Sequence, residues 1–176
     1  MSVDKMKLLI ISGPVGVGKT SVSDELSHFL EQDNVPHTFV DLDALTYTFP
    51  RGENDPYGNQ LALENLESIW QNSYKRGARN LIVPRVIESY NHATDISEAV
   101  GITEPILCRL SASDQTLIER VRTREIGSGL CWHEKRSLEL SKTLAFAELE
   151  DFCLFTDDRT ISEIAKDILQ RIEWCR

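Results

Sequence analysis

Gly13-Pro14-Val15-Gly16-Val17-Gly18-Lys19-Thr20 is the stretch on which the reading of this chain turns. It fits G-x-x-x-x-G-K-[ST], a phosphate-cradling loop. Glycines let main-chain N–H groups approach an anion with no Cβ in between. Lys19 adds a mobile cation for the outer phosphates, and Thr20 a hydroxyl for Mg2+. A helix starting at the lysine aims the positive end of its dipole at the same point. Upstream, Lys7-Leu8-Leu9-Ile10-Ile11-Ser12 reads as a buried parallel strand. Downstream, Val22, Leu26, Phe29 and Leu30 form the stripe of an amphipathic helix. Strand, glycine loop and helix are the context the motif requires. Binding of a nucleoside triphosphate, ATP with Mg2+, is therefore expected around Gly13, Val15, Gly16, Val17, Gly18, Lys19, Thr20 and Ser21.

Outward from the loop, apolar strand-like runs alternate with helical patterns, which predicts an α/β fold with a parallel sheet and crossover helices. The later strands are expected at His37–Leu42, Asn80–Val86, Pro105–Leu110 and Phe152–Thr156. Helices are expected near 19–32, 59–77, 93–100, 114–126 and 133–149. A last helix runs from about Thr160 to Trp174, with Thr160 and Glu163 as a capping box and Ile161, Ile164, Ala165, Ile168, Leu169 and Ile172 as its stripe. With no repeat or linker in view, residues 1–176 read as a single domain. The longest stretch without periodicity, about 44–60, reads as a substrate-binding segment.

Bulk composition narrows the partners. A net charge of −9 argues against a general nucleic-acid binder. The loop supplies its own local positive field, so that charge does not oppose ATP binding. No apolar run approaches a membrane span, and the Leu8–Ile11 core is too short for a secretory signal. Cys108, Cys131, Cys153 and Cys175 are widely spaced with no C-x-x-C pair. They read as reduced thiols, mostly core filler, in a cytoplasmic protein. A monomer or homodimer is expected, with no nucleic-acid or membrane partner.

The loop alone does not separate kinases from GTPases and motor ATPases. No N-K-x-D is present for guanine, and the third strand ends in Pro84-Arg85 without an acid for a motor ATPase. Acids stand instead at Asp41-Leu42-Asp43, beyond the second strand. Two residues apart on an extended chain, they point the same way, into the crevice of an open sheet. Asp41 with Thr20 is expected to hold the metal, and Asp43 to accept a proton from a substrate hydroxyl. An acidic turn or a helix cap is the competing reading. Arg120 and Arg124 share a helix face and lead to Gly127-Ser128-Gly129, which suits a lid over about 120–136; a solvated helix face is the alternative. Arg85 is placed to hold an anionic substrate group or to pair with Glu88, and Arg51 in the long loop is a further substrate candidate. Arg136 could reach phosphate from the next helix, His133 reads as a cap or surface residue, and Trp70 with Tyr74 as core.

Together these residues resemble the small-molecule kinases of the phosphate-loop superfamily, the shikimate, gluconate and adenylylsulfate kinases and their kinase-like relatives. The resemblance covers nearly the whole chain. It rests on Gly13–Thr20, Asp41-Leu42-Asp43, Arg120 with Arg124, and Phe155-Thr156-Asp157-Asp158-Arg159-Thr160. It implies a three-layer α/β/α fold with five parallel strands in the order 2-3-1-4-5. It also implies a last turn bordering the adenine, so that Asp158 and Thr160 join the nucleotide site. The activity implied is ATP-dependent transfer of the γ-phosphoryl group to a hydroxyl of a small metabolite, with Lys19, Asp43, Arg120 and Arg124 carrying it. The alternative is a nucleotide-binding or ATP-hydrolysing regulator with no acceptor. Pro84-Arg85-Val86 replaces the glycine pair of shikimate kinases, which argues against shikimate itself, and the short lid argues against a nucleotide acceptor.

Overall fold

The computed structural model describes residues 6–124 and 130–174. Five strands form one parallel sheet: β1 (Lys7–Ser12), β2 (His37–Phe39), β3 (Asn80–Pro84), β4 (Pro105–Ser111) and β5 (Phe152–Phe155), in the order β2-β3-β1-β4-β5. Six helices connect or follow them: α1 (Lys19–Gln32), α2 (Asn59–Lys75), α3 (Tyr90–Val100), α4 (Asp114–Arg124), α5 (Leu130–Ala147) and α6 (Ile161–Ile172).

β1 lies at the centre because it is apolar on both faces. Leu9 and Ile11 pack with Val22, Leu26 and Leu30 of α1 and Ile164, Ala165 and Ile168 of α6. Leu8 and Ile10 pack the other way, with Leu66 and Trp70 of α2 and Ile96 of α3. The period-2 alternation of strand side chains thus generates two cores and three layers. Each of these four β1 side chains is at most 1% exposed. Truncating one to alanine should cost about 2–5 kcal/mol.

The second strand is shorter than its sequence suggests. It stops at Phe39, and Leu42–Thr46 winds into a 3-10 turn capped by Asp41, whose carboxylate accepts from the Asp43 N–H at 3.1 Å. Asp41 and Asp43 are therefore not alternate residues of a strand; a local side-chain-to-backbone bond outcompetes the extended conformation. α3 begins three residues before its apolar stripe, after Ser89, and α5 starts at Leu130. The capping box on α6 forms as the sequence indicates. Ile161, the first member of that helix's stripe, is not buried but 46% exposed. Trp70 is core, while Tyr74 lies at the surface beneath the guanidinium of Arg79, 4.3 Å from its ring centre. Cys108 is buried and Cys153 half-buried, but Cys131 is exposed, so core filling does not account for that thiol. Gly127-Ser128-Gly129 and Cys175 lie outside the described residues. Among the described residues no helix is long and apolar enough to cross a membrane.

Candidate functional site

Two clefts meet at the C-terminal edge of the sheet, where open α/β folds place their ligands. The first, about 710 Å³, surrounds the glycine loop. Gly13, Gly16 and Gly18 hold φ of 143°, 82° and 103°, a region that L side chains avoid. At Gly13 a Cβ would also stand 2.5 Å from the Leu110 carbonyl oxygen. With the chain so turned, the N–H groups of Gly16, Gly18, Lys19 and Thr20 find no protein acceptor among the described residues. These donors, at the start of α1, make an anion cradle.

The Lys19 ammonium lies in the loop and donates to the Gly13 and Pro14 carbonyls, each at 3.0 Å. Burial lowers its pKa to about 8; Asp43 and Asp41 oppose that shift, while Arg124 and Arg85 reinforce it. Thr20 donates its hydroxyl hydrogen to Asp41 Oδ2 at 2.9 Å. Asp41 thus caps the 3-10 turn with one oxygen and meets the loop with the other. The adjacent hydroxyl and carboxylate fit Mg2+, which takes few protein oxygens and shares its remaining positions with phosphate and water. No group of three or more His, Cys, Asp or Glu side chains that could hold a metal ion occurs among the described residues.

Arg120 and Arg124 both line the first cleft. Arg120 is a brace: it donates to the Val17 carbonyl at 3.2 Å, the Thr156 hydroxyl at 2.8 Å and the Thr156 carbonyl at 3.1 Å. A swinging lid residue would not be tied to the loop and the end of β5 in this way. Thr160 and Ile161 form the far wall, with Arg159 beside them. Asp158, at φ 54°, is exposed and lines neither cleft. Its neighbour Asp157 instead fastens the turn, accepting from Ser113 and Thr116; those bonds hold its carboxyl below the usual range.

The second cleft, about 640 Å³, adjoins the first; Val15, Asp43, Val86 and Trp132 line both. Arg85 reaches into it from the end of β3. It pairs not with Glu88 but with Asp43, and donates to Asn59 Oδ1 at 2.7 Å. Glu88 takes Arg136, at 2.7 Å. Arg136 therefore faces the second cleft rather than the loop. Arg51 donates to the Pro56 carbonyl at 2.7 Å within its own segment and lines neither cleft. That segment is pinned from below: Asp55 accepts from the Asn59 and Leu61 N–H groups, and Asn65 donates to the Leu45 carbonyl.

Two features escape sequence reasoning. Trp132, 62% exposed on the first turn of α5, forms a wall common to both clefts. Ser137, fully buried one turn later, donates to the Val15 carbonyl at 2.6 Å and ties α5 to the loop. Nothing in the local sequence marks Ser137; for Trp132 the hint is a tryptophan shortly after the glycine-rich stretch Gly127-Ser128-Gly129.

No protein-family model and no curated protein matches the chain. Solved structures do. A gluconokinase from Sinorhizobium meliloti 1021 superposes with a TM-score of 0.62 at 18% identity, over 95% of this chain and 91% of its own. Shikimate kinase from Bacteroides thetaiotaomicron gives 0.65 at 17% identity, over 96% and 99%. The Mycobacterium tuberculosis APS kinase CysC, solved with AMPPNP and APS, gives 0.59 at 18% identity, over 96% and 98%. The likeness is one of fold: a five-stranded phosphate-loop architecture shared with small-molecule kinases.

Proposed function

We propose that this chain is an ATP-dependent phosphotransferase that moves the γ-phosphoryl group to a hydroxyl of a small molecule. The supporting observation is the position of Asp43. It belongs to the walls of both clefts, between a cradle suited to polyphosphate and a chamber suited to a second molecule. In this reading ATP occupies the first cleft. Main-chain donors from Gly16 to Thr20 hold its phosphates, and the Lys19 ammonium exchanges the Gly13 and Pro14 carbonyls for phosphate oxygens. Thr20 and Asp41 hold Mg2+, which neutralises phosphate charge when bound.

The acceptor hydroxyl faces Asp43 from the second cleft. Its oxygen forms a bond to the γ-phosphorus as the bond to the β,γ-bridging oxygen breaks. The hydroxyl proton passes to the Asp43 carboxylate, and ADP leaves with the bonding electron pair. Arg124 supplies positive charge beside the phosphates, and Arg120 acts as a positioning residue for Val17 and Thr156. Thr160 borders the nucleotide and Arg85 the acceptor, with the whole chain working as one unit. Positioning and charge neutralisation carry most of the rate.

ADP release from Mg·ATP across a panel of small hydroxyl compounds tests this. Turnover should depend on the compound, and Asp43→Asn should lower it by about 10²–10⁴-fold while ATP binding persists. Hydrolysis indifferent to every compound would sink the reading in favour of a regulator.

A further inference from the structure

We infer that the acceptor is an uncharged hydroxyl compound with a flat apolar portion, not a carboxylate or phosphate ester. This deepens the phosphotransferase reading and rests on it for the role of the second cleft. The charge balance of the chamber carries the inference. Its two guanidiniums are each matched by a carboxylate in contact, Arg85 by Asp43 and Arg136 by Glu88. A third carboxylate, Asp95, lines the same chamber. With the His92 imidazole of the same lining counted as neutral, the described lining carries three carboxylates against two guanidiniums, and each guanidinium already holds one of those carboxylates. An anionic acceptor would meet Asp43, Glu88 and Asp95 in the same chamber, and would have to share either arginine with a carboxylate already in contact with it. Such like-charge juxtaposition is how sites reject a class of ligand.

The uncharged part of the lining indicates the rest of the molecule. Trp132 and Tyr57 are 62% and 75% exposed, on α5 and on the segment before α2, and both belong to this chamber. Leu63, Ile96 and Leu140 add aliphatic surface from α2, α3 and α5. Aromatic side chains presented to solvent in a cleft offer stacking area for a ring or another planar apolar group. Asn59, with its Oδ1 accepting from Arg85, keeps an amide N–H pair as a donor for a neutral oxygen.

The inference is tested with three matched pairs that differ at the charged group: 1-phenyl-1,2-ethanediol against mandelate, sorbitol against gluconate, and methyl shikimate against shikimate. Each is titrated into the wild-type chain by ligand-observed NMR, with and without Mg·AMPPNP. The neutral member of each pair should bind about tenfold tighter or more, with phenylethanediol the tightest of the six. Trp132→Ala should weaken phenylethanediol more than sorbitol. In Glu88→Gln/Asp95→Asn the preference for neutral members should shrink by about tenfold, because an arginine is then free for an anion. Acids binding as tightly as their neutral partners, or no neutral member binding below about 10 mM, would overturn the inference. Calorimetry with Mg·ATP on the same protein separates the two levels. Failure to bind ATP removes the phosphotransferase reading, whereas normal ATP binding with acids preferred removes only the identity of the acceptor.

Discussion

The two clefts share a wall but are built from different materials. The floor of the first is made of main chain: a contiguous run of turned peptides from Gly16 to Thr20, closed by one ammonium, with side-chain walls around it. The second is made of side chains, drawn from the 3-10 turn, α2, the end of β3, α3 and α5, and held by two ion pairs. Main-chain donors are present whatever side chains surround them, so the first cleft suits a ligand that stays constant. An assembly of separate side chains is altered by any one substitution and suits a ligand that differs between relatives. Under the proposed function, specificity for the acceptor is stored in the side chains of the second cleft that lie away from the shared wall, among them Asn59, Leu63, Asp95 and Leu140.

Four measurements test that contrast. Lys19→Ala should have the largest effect, lowering acceptor-dependent ADP release by about 10²–10³-fold, the scale of a lost transition-state donor. Its melting temperature should not fall at neutral pH, because desolvation of this part-buried ammonium opposes folding and offsets the loss of its two carbonyl bonds. Normal turnover would dismantle the main-chain cradle. Arg85→Ala comes next. It strips Asp43 and Asn59 of their partner and should raise KM for the acceptor by about 10–100-fold, equivalent to one charged hydrogen bond. The affinity for Mg·ATP, read by calorimetry, should stay within a factor of about three. A parallel loss of ATP would mean the clefts are not separable.

The third measurement is pH dependence. Lys19 carries a lowered pKa of about 8 in the folded chain against an ordinary 10.5. Its charge therefore opposes folding below pH 8, and stability should rise from about pH 8 to 10.5 as the folded state sheds a proton that the unfolded state retains. Nucleotide affinity should run the other way, because polyphosphate restores the charge. At pH 8.5, calorimetry in buffers of different ionisation heat should show net proton uptake on binding, and none in Lys19→Ala. The smallest effect is expected for Ser137→Ala, which removes the bond to the Val15 carbonyl and should cost about 1 kcal/mol of stability in urea.

The same contrast explains what was legible in the sequence. The glycine loop of the first cleft is legible residue by residue, since contiguous peptides build it and the glycines record the required backbone; the far walls, Trp132 among them, are not. The strand order followed from the resemblance the motifs carry, and the layers from the alternation of Leu8, Leu9, Ile10 and Ile11. The second cleft was legible only in Asp43 and Arg85. Asn59, Glu88, Trp132 and Arg136 meet there because helices from distant parts of the chain converge, and no local pattern announces such a meeting. The partners of arginines were misjudged for the same reason. Arg85 selects Asp43, 42 positions away, over nearby Glu88, and Arg120 braces Thr156. The acidic pair stands on a different backbone from the one alternation suggests: Asp41 turns the chain into a 3-10 coil with its own carboxylate, which alternation alone does not reveal.

The hydrogen bond from Ser137 to Val15 has a thermodynamic consequence. Trp132 and Arg136, a turn apart on α5, touch whatever fills the second cleft, and Ser137 holds the peptide just before Gly16. With both clefts filled as proposed, a tilt of this helix toward one molecule is transmitted through that bond to the peptide beside the other. Occupancy at either side should then alter affinity at the opposite side by an identical factor, a reciprocity that the helix would enforce as a lever does.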